Sequence, residues 1–268
     1  MPLFQLILVA VIQGLTEFLP VSSSGHLALL PNLTGLQDQG LAVDVAVHVG
    51  TLFAVILYFR NDVGLAVGGV FRLCKGRVDT QGAWLALCLG LATIPVVIVG
   101  LIIKVAGWDE AMRNMTVIGW TMLIFGVVLY WADQSGSRAR SAETWTLKHA
   151  VIMGLWQAVA LIPGTSRSGI TITGARFLGY DRESAARLAM LMSIPTIIAS
   201  GVLLGLDVVK DTNMQLAKDA GIAAVFAFVA AILALSVMMR LLRSVSFTPY
   251  VTYRVMLGIA ILAIAYTT

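Results

Sequence analysis

Apolar residues dominate the chain in long blocks, and polar residues gather in short interruptions between them. Six blocks, at about 41–59, 84–103, 114–132, 186–206, 220–239 and 249–266, are long enough to cross a bilayer as helices. At ~1.5 Å per residue each approaches the ~30 Å thickness of the hydrocarbon core. None shows the period-2 alternation of a barrel wall, and helices satisfy their own backbone in lipid. The pattern predicts an all-α polytopic membrane protein with six transmembrane helices.

Two further apolar blocks, residues 3–16 and 149–162, are too short, since each supplies only ~21 Å of helix. The first runs into Glu17-Phe18-Leu19-Pro20-Val21-Ser22-Ser23-Ser24-Gly25-His26, the second into Pro163-Gly164-Thr165-Ser166-Arg167-Ser168-Gly169. Short helices are expected to follow, near 22–33 and 167–178. Helix, polar break and helix together predict re-entrant hairpins over about 3–34 and 149–178, tolerated at membrane depth where protein or water surrounds the break. The breaks also align at an ungapped offset of 144: Gln13 meets Gln157, Ser22 meets Ser166, Ser24 meets Ser168, Gly25 meets Gly169 and Gly35 meets Gly179. The expectation is one integral membrane domain, 1–268, arranged as an inverted-topology repeat. Its halves span about 1–132 and 145–268, with a ligand site near mid-depth.

Composition adds the surroundings. Hydrophobic residues make up 59% and charged residues 12%, about half the charge of a soluble domain. The net charge of +4 is assigned to basic cytoplasmic loops, not to nucleic-acid binding. With both hairpins entering and leaving on one side, loops 60–83, 133–148, 179–187 and 240–248 hold eleven Lys and Arg residues. The opposite loops hold four, Lys104, Arg113, Lys210 and Lys218. The positive-inside rule then puts both termini outside. No Lys or Arg precedes Arg60, so the N-terminus lacks the charged region of a cleaved signal. Cys74 and Cys88 have no metal-ligand spacing and are expected to be structural.

The breaks carry the candidate chemistry. A helix start offers free N–H groups and partial positive charge, which suits an anion. Gly25 and Gly169 would admit close approach to the backbone. Hydroxyls of Ser22, Ser23, Ser24, Thr165, Ser166 and Ser168 surround the point, and Arg167 adds a planar donor fork fitted to phosphate. On the facing break, Glu17 suits a bridging divalent cation, Mg²⁺ or Ca²⁺. His26 is a candidate general acid or base, and a neighbouring serine a candidate nucleophile. Plainer roles stay open: Glu17 as a structural ion pair with Arg167, Gln13 and Gln157 as bridges, and the serines as helix–helix hydrogen bonds. His48 reads as structural, His149 as interfacial, and Arg182, Glu183 and Arg187 as a solvated cytoplasmic turn.

With these motifs in place, essentially the whole chain resembles the undecaprenyl-diphosphate phosphatase family, the bacitracin-resistance proteins. Phe247-Thr248-Pro249-Tyr250 with Tyr253-Arg254 also looks like that family. The resemblance implies hydrolysis of undecaprenyl diphosphate to the monophosphate cell-wall carrier plus inorganic phosphate, resistance to bacitracin, and a divalent-cation requirement. It implies a bacterial plasma-membrane location with the active site opening outward; a homodimer is left open. By motif position it makes Glu17 the acidic and metal-binding residue, Ser23 the nucleophile, His26 the motif histidine and Arg167 the phosphate-binding arginine. Ser22, Ser24, Gly25, Ser166, Ser168, Gly169, Thr171 and Gln13 complete the phosphate-binding set. Gln13 stands where many members have Glu, so one cation held largely by Glu17 is expected in place of a two-carboxylate site. Direct attack by water remains an alternative to Ser23. The phosphatidic-acid type of lipid phosphatase is set aside, because Ser168-Gly169-Ile170-Thr171-Ile172-Thr173-Gly174 lacks its histidine. A lipid flippase or anion transporter is the competing class, since inverted repeats also build transporters.

Overall fold

The computed structural model describes residues 2–35, 40–112, 114–208 and 214–267. Among them are twelve α-helices and no strand. In chain order they are α1 (Leu3–Thr16), α2 (Ser23–Thr34), α3 (Leu41–Tyr58), α4 (Arg60–Leu73), α5 (Gln81–Ala106), α6 (Trp108–Met112), α7 (Met115–Ser135), α8 (Leu147–Val159), α9 (Arg167–Phe177), α10 (Arg182–Val208), α11 (Met214–Leu241) and α12 (Thr248–Thr267). Six of these, α3, α5, α7, α10, α11 and α12, are long and apolar enough to cross a membrane.

Several ends differ from the expectation. Helix α5 runs 26 residues and α11 runs 28, beyond the apolar core of each block, because polar side chains cap or extend a helix outside hydrocarbon at little cost. Thr80 caps α5 by accepting from Ala83 N, and Asn114 caps α7 by accepting from Val117 N. The segment read as loop 60–83 contains α4. Its charges, Arg60, Asp62 and Arg72, sit at its two ends, so average hydropathy hides the helix. The turn around Arg182 is also not simply solvated. Arg182 donates to Asp133 Oδ1 and Oδ2, both at 2.8 Å, and Arg187 donates to Asp62 and Glu143. Arg113 and Lys210, counted with the outer loops, lie outside the described residues.

Packing follows small residues. Helix α11 presents Ala223, Ala227, Ala230, Ala231 and Ala234 inward and lies against both α1 and α3. On α3, a methyl group at Gly50 would overlap the Ala224 carbonyl of α11. Backbones meeting this closely gain dispersion contact where lipid supplies no hydrophobic drive. Helix α8 meets α5 in the same way, and a Cβ at Gly154 would stand 2.5 Å from Ala92 O. Thus α1 packs on α11 while α8 packs on α5, and α7 pairs with α12. Outward residues such as Phe4, Ile98, Val127, Trp131 and Val202 stay exposed and apolar, as a lipid-facing surface requires.

A polar knot closes one end. Asp133 is 1% exposed and accepts from Arg176 Nε, from Arg182 and from the backbone N–H of Phe247. It therefore ties α7, α9, α10 and the start of α12 together. Arg176 spends its remaining N–H groups on the carbonyls of Asp133, Gly136, Ser137 and Tyr180. A buried ion cluster is tolerable when every lone pair and proton is taken, and here the arginine is fully used.

Gly50→Val should destabilise the protein by about 1–3 kcal/mol or more through overpacking. Thermal unfolding in detergent checks this, and an unchanged midpoint would contradict the close α3–α11 approach.

Candidate active site

Helices α1 and α8 both stop at the polar breaks, and α2 and α9 start from them. The residues before those starts, Ser22 and Ser166, both have φ of 68°. They are the non-glycine residues with positive φ among the described residues, a conformation that costs about 1–3 kcal/mol unless the surroundings hold it. Local hydrogen bonds do so. Ser166 Oγ accepts from Gly169 N at 3.1 Å and lies 3.1 Å from Ser168 Oγ. Ser22 Oγ lies 3.0 Å from Ser24 Oγ. The breaks are also joined to each other: Gly164 N donates to Ser24 Oγ at 3.2 Å, and Ser168 Oγ donates to the Leu19 carbonyl at 2.9 Å.

Glu17 is the centre of the cluster. Its Oε1 accepts from Arg167 Nη2 at 2.6 Å. Its Oε2 accepts from Gln13 Nε2 at 2.8 Å and from Ser23 Oγ at 3.1 Å. The Glu17 and Arg167 side chains are only 8% and 14% exposed, so the pair acts in a weakly screened environment. Arg167 also lies over the Phe18 ring, 5.9 Å from its centroid, and its Nη1 is buried without a partner.

His26 sits apart from this pair. Its Nδ1 is 2.8 Å from the Ser22 carbonyl, which can only accept, so Nδ1 carries the proton. Its Nε2 then accepts from Tyr253 OH at 2.6 Å, and the two ring planes are nearly parallel, 9° apart. Thr171 lies one turn into α9 and donates its hydroxyl to the carbonyls of Arg167 and Ser168. The two glycines have a reason other than ligand approach. A Cβ at Gly25 would stand 2.6 Å from Met122 Sδ of α7. One at Gly169 would stand 2.8 Å from Arg254 Nη1. Both are small because protein packs there.

Three residues join the site that the motif reading gave no role. Arg254, wholly buried on α12, donates through Nη2 to the carbonyls of Gly164 and Thr165 at 3.2 and 2.8 Å. Its Nε and Nη1 are buried with no partner, as is Thr165 Oγ1. Tyr253 beside it holds His26. His48 of α3 places Nε2 3.1 Å from Gln13 Nε2 and 3.8 Å from Glu17 Oε2. The available signal was an ionisable side chain inside an apolar span, a functional flag by default. His149 pairs with Tyr180 OH at 2.7 Å, away from the breaks. Gln157, the counterpart of Gln13, donates to Thr196 Oγ1 at 3.0 Å.

Among the described residues no group of three His, Cys, Asp or Glu side chains could hold a metal ion, so a divalent cation would have to rest on one side of Glu17 with neutral oxygens. Oε1 faces a guanidinium, which excludes a cation there. Oε2 faces neutral groups, Ser23 Oγ and Gln13, whose buried Oε1 has no partner. One ion fits this donor set better than two, since Glu17 is its sole carboxylate.

The family model described as "Bacitracin resistance protein BacA" matches residues 6–260 of the chain. The chain belongs to the bacitracin resistance protein BacA family. Among similar members is a protein of Dinoroseobacter shibae named undecaprenyl-diphosphatase, 71% identical with both chains fully covered. Another of that name, from Ruegeria pomeroyi, is 64% identical over 100% of each chain. A third, from Saccharophagus degradans, is 41% identical over 99% of both.

A double-mutant cycle of Glu17→Gln and Arg167→Met should give a coupling of about 0.5–3 kcal/mol in thermal unfolding, the range for residues in direct contact. A coupling near zero would mean that the two side chains do not pair in the resting protein.

Proposed function

We propose that this protein is an undecaprenyl-diphosphatase of the bacterial inner membrane. It hydrolyses the P–O–P anhydride, breaking the bond between the terminal phosphorus and the bridging oxygen, to give undecaprenyl phosphate and inorganic phosphate. The observation that carries the reading is buried guanidinium donors left unmet: Arg254 Nε and Nη1 have no partner, and Arg167, though paired with Glu17 through Nη2, leaves Nη1 without one beside the breaks. Unpaired buried donors are costly, and a diphosphate supplies the acceptors they lack. Arg167 is held by Glu17 in the resting state and can be released to phosphate, a bidentate match.

Ser23 Oγ already donates to Glu17 Oε2, so a hydroxyl nucleophile and a carboxylate base stand within hydrogen-bond reach. Attack of Ser23 Oγ on the terminal phosphorus expels the lipid monophosphate, and the serine proton passes to Glu17. Water then attacks the phosphoseryl group, restoring Ser23 and releasing phosphate. His26, with Nδ1 on the Ser22 carbonyl and Nε2 on Tyr253 OH, would exchange protons at the exposed Tyr253 edge. A bound Mg²⁺ or Ca²⁺ would supply charge neutralisation at the phosphate oxygens. The full-length relatives named undecaprenyl-diphosphatase do not favour the transporter alternative.

The same reading extends to architecture. We take 1–268 as one domain with two re-entrant hairpins in an inverted repeat, both termini and the site opening outward. Support comes from register: α1 and α8 begin at Leu3 and Leu147, and α2 and α9 at Ser23 and Arg167, each 144 apart. Ser22 and Ser166 share their φ, and Gly35 and Gly179 both have positive φ. The exchange of α1 onto α11 and α8 onto α5 suits a pseudo-twofold axis.

Purified protein with Mg²⁺ or Ca²⁺ should release phosphate from a long-chain polyprenyl diphosphate. Arg167→Ala and Arg254→Leu should each lower the rate about 10²–10³-fold, as for loss of a preorganised donor. Ser23→Ala should lose far more than Ser22→Ala or Ser24→Ala. Lipid binding by the wild type without phosphate release would return the protein to the transporter class.

A further inference from the structure

His48 has the geometry of a metal ligand. It lies mid-way along α3, and its Nδ1 is 2.7 Å from the Asp44 carbonyl. A carbonyl only accepts, so Nδ1 is protonated and Nε2 presents a lone pair. This is the arrangement by which metal-binding imidazoles are usually oriented, with the distal N–H tied to a carbonyl or carboxylate. Glu17 Oε2 lies 3.8 Å from His48 Nε2. A nitrogen and an oxygen sharing one ion stand about 3.0–3.5 Å apart for bonds near 2.1 Å, so a small side-chain adjustment closes the gap.

Between the two lone pairs lies Gln13 Nε2, 2.8 Å from Glu17 Oε2 and 3.1 Å from His48 Nε2. Its two N–H donors hold together two groups that each offer electrons, as a small cation would. Meanwhile Gln13 Oε1, fully buried, has no partner. A half-turn of the amide would bring this oxygen to the same point, where a cation would be its partner. Ser23 Oγ, on Glu17 Oε2 from the other side, supplies a further oxygen.

We propose that His48 Nε2 is a protein ligand of the divalent cation, together with Glu17 Oε2 and the Gln13 side-chain oxygen. The inference rests on the phosphatase reading for its purpose, not for its geometry. An imidazole donor favours borderline transition ions over the oxygen-seeking Ca²⁺. The site therefore prefers Mn²⁺ or Co²⁺ to Ca²⁺, and His48 sets that preference.

The test uses full-length protein in nanodiscs loaded with Mn²⁺, read by electron spin echo modulation. Nitrogen coupling to the bound ion is expected in the wild type and in His26→Gln, and its loss in His48→Gln. Calorimetric titration should show His48→Gln weakening Mn²⁺ binding about tenfold or more, with Ca²⁺ affinity changed less than about threefold. Wild-type protein that binds no Mn²⁺, or binds it without nitrogen coupling, overturns the assignment whatever the variants do. Coupling that survives in His48→Gln and disappears in His26→Gln overturns it too. Phosphate release by the wild type in Mg²⁺ is measured in parallel. Its absence would sink the phosphatase reading, whereas metal data of the overturning kind would sink only the role of His48.

Discussion

Two stretches of backbone leave helical geometry among apolar spans, and each must find its hydrogen-bond partners within the protein. That constraint explains most of what surrounds them. The left-handed serines are held by neighbouring hydroxyls. Each break lends a group to the other, Ser168 Oγ to the Leu19 carbonyl and Gly164 N–H to Ser24 Oγ. Arg254 reaches across from the last helix to take the carbonyls of Gly164 and Thr165. A polar cluster assembled for this purpose in a low-dielectric setting is already close to an anion site, since unpaired donors there have a strong demand for acceptors.

Three inward arginines show how degree of pairing separates support from chemistry. Arg176 is saturated by a carboxylate and four carbonyls and can accept nothing more. Arg167 gives one nitrogen to Glu17 and keeps another in reserve. Arg254 uses only Nη2, has two orphan nitrogens and touches no carboxylate in any ion pair among the described residues. Burial alone would rank the first and last together; the count of unmet donors ranks them apart.

The six spans were legible because hydropathy over about 20 residues is a property of composition. Their ends were not, since α5 and α11 continue past the hydrocarbon-like core, and α4 mixes charge with apolar residues. Glu17 and Arg167 stood out as charges amid apolar sequence, beside serines and glycines that reinforced the signal. His48 and Arg254 carry the same kind of signal singly, and their partners are far away in sequence. Gly25 and Gly169 carry a second constraint: their missing side chains make room for Met122 and Arg254, which only packing can reveal.

The position of Arg254 on the last helix bears on how the molecule is born. Residues 13–26 enter the membrane early in synthesis, yet the guanidinium that braces the second break arrives only with α12. Until then the Gly164 and Thr165 carbonyls lack that donor. The serine-lined elements are thus made well before the guanidinium that braces the second break. A chain cut short of α12 would leave those two carbonyls to find another donor inside the protein.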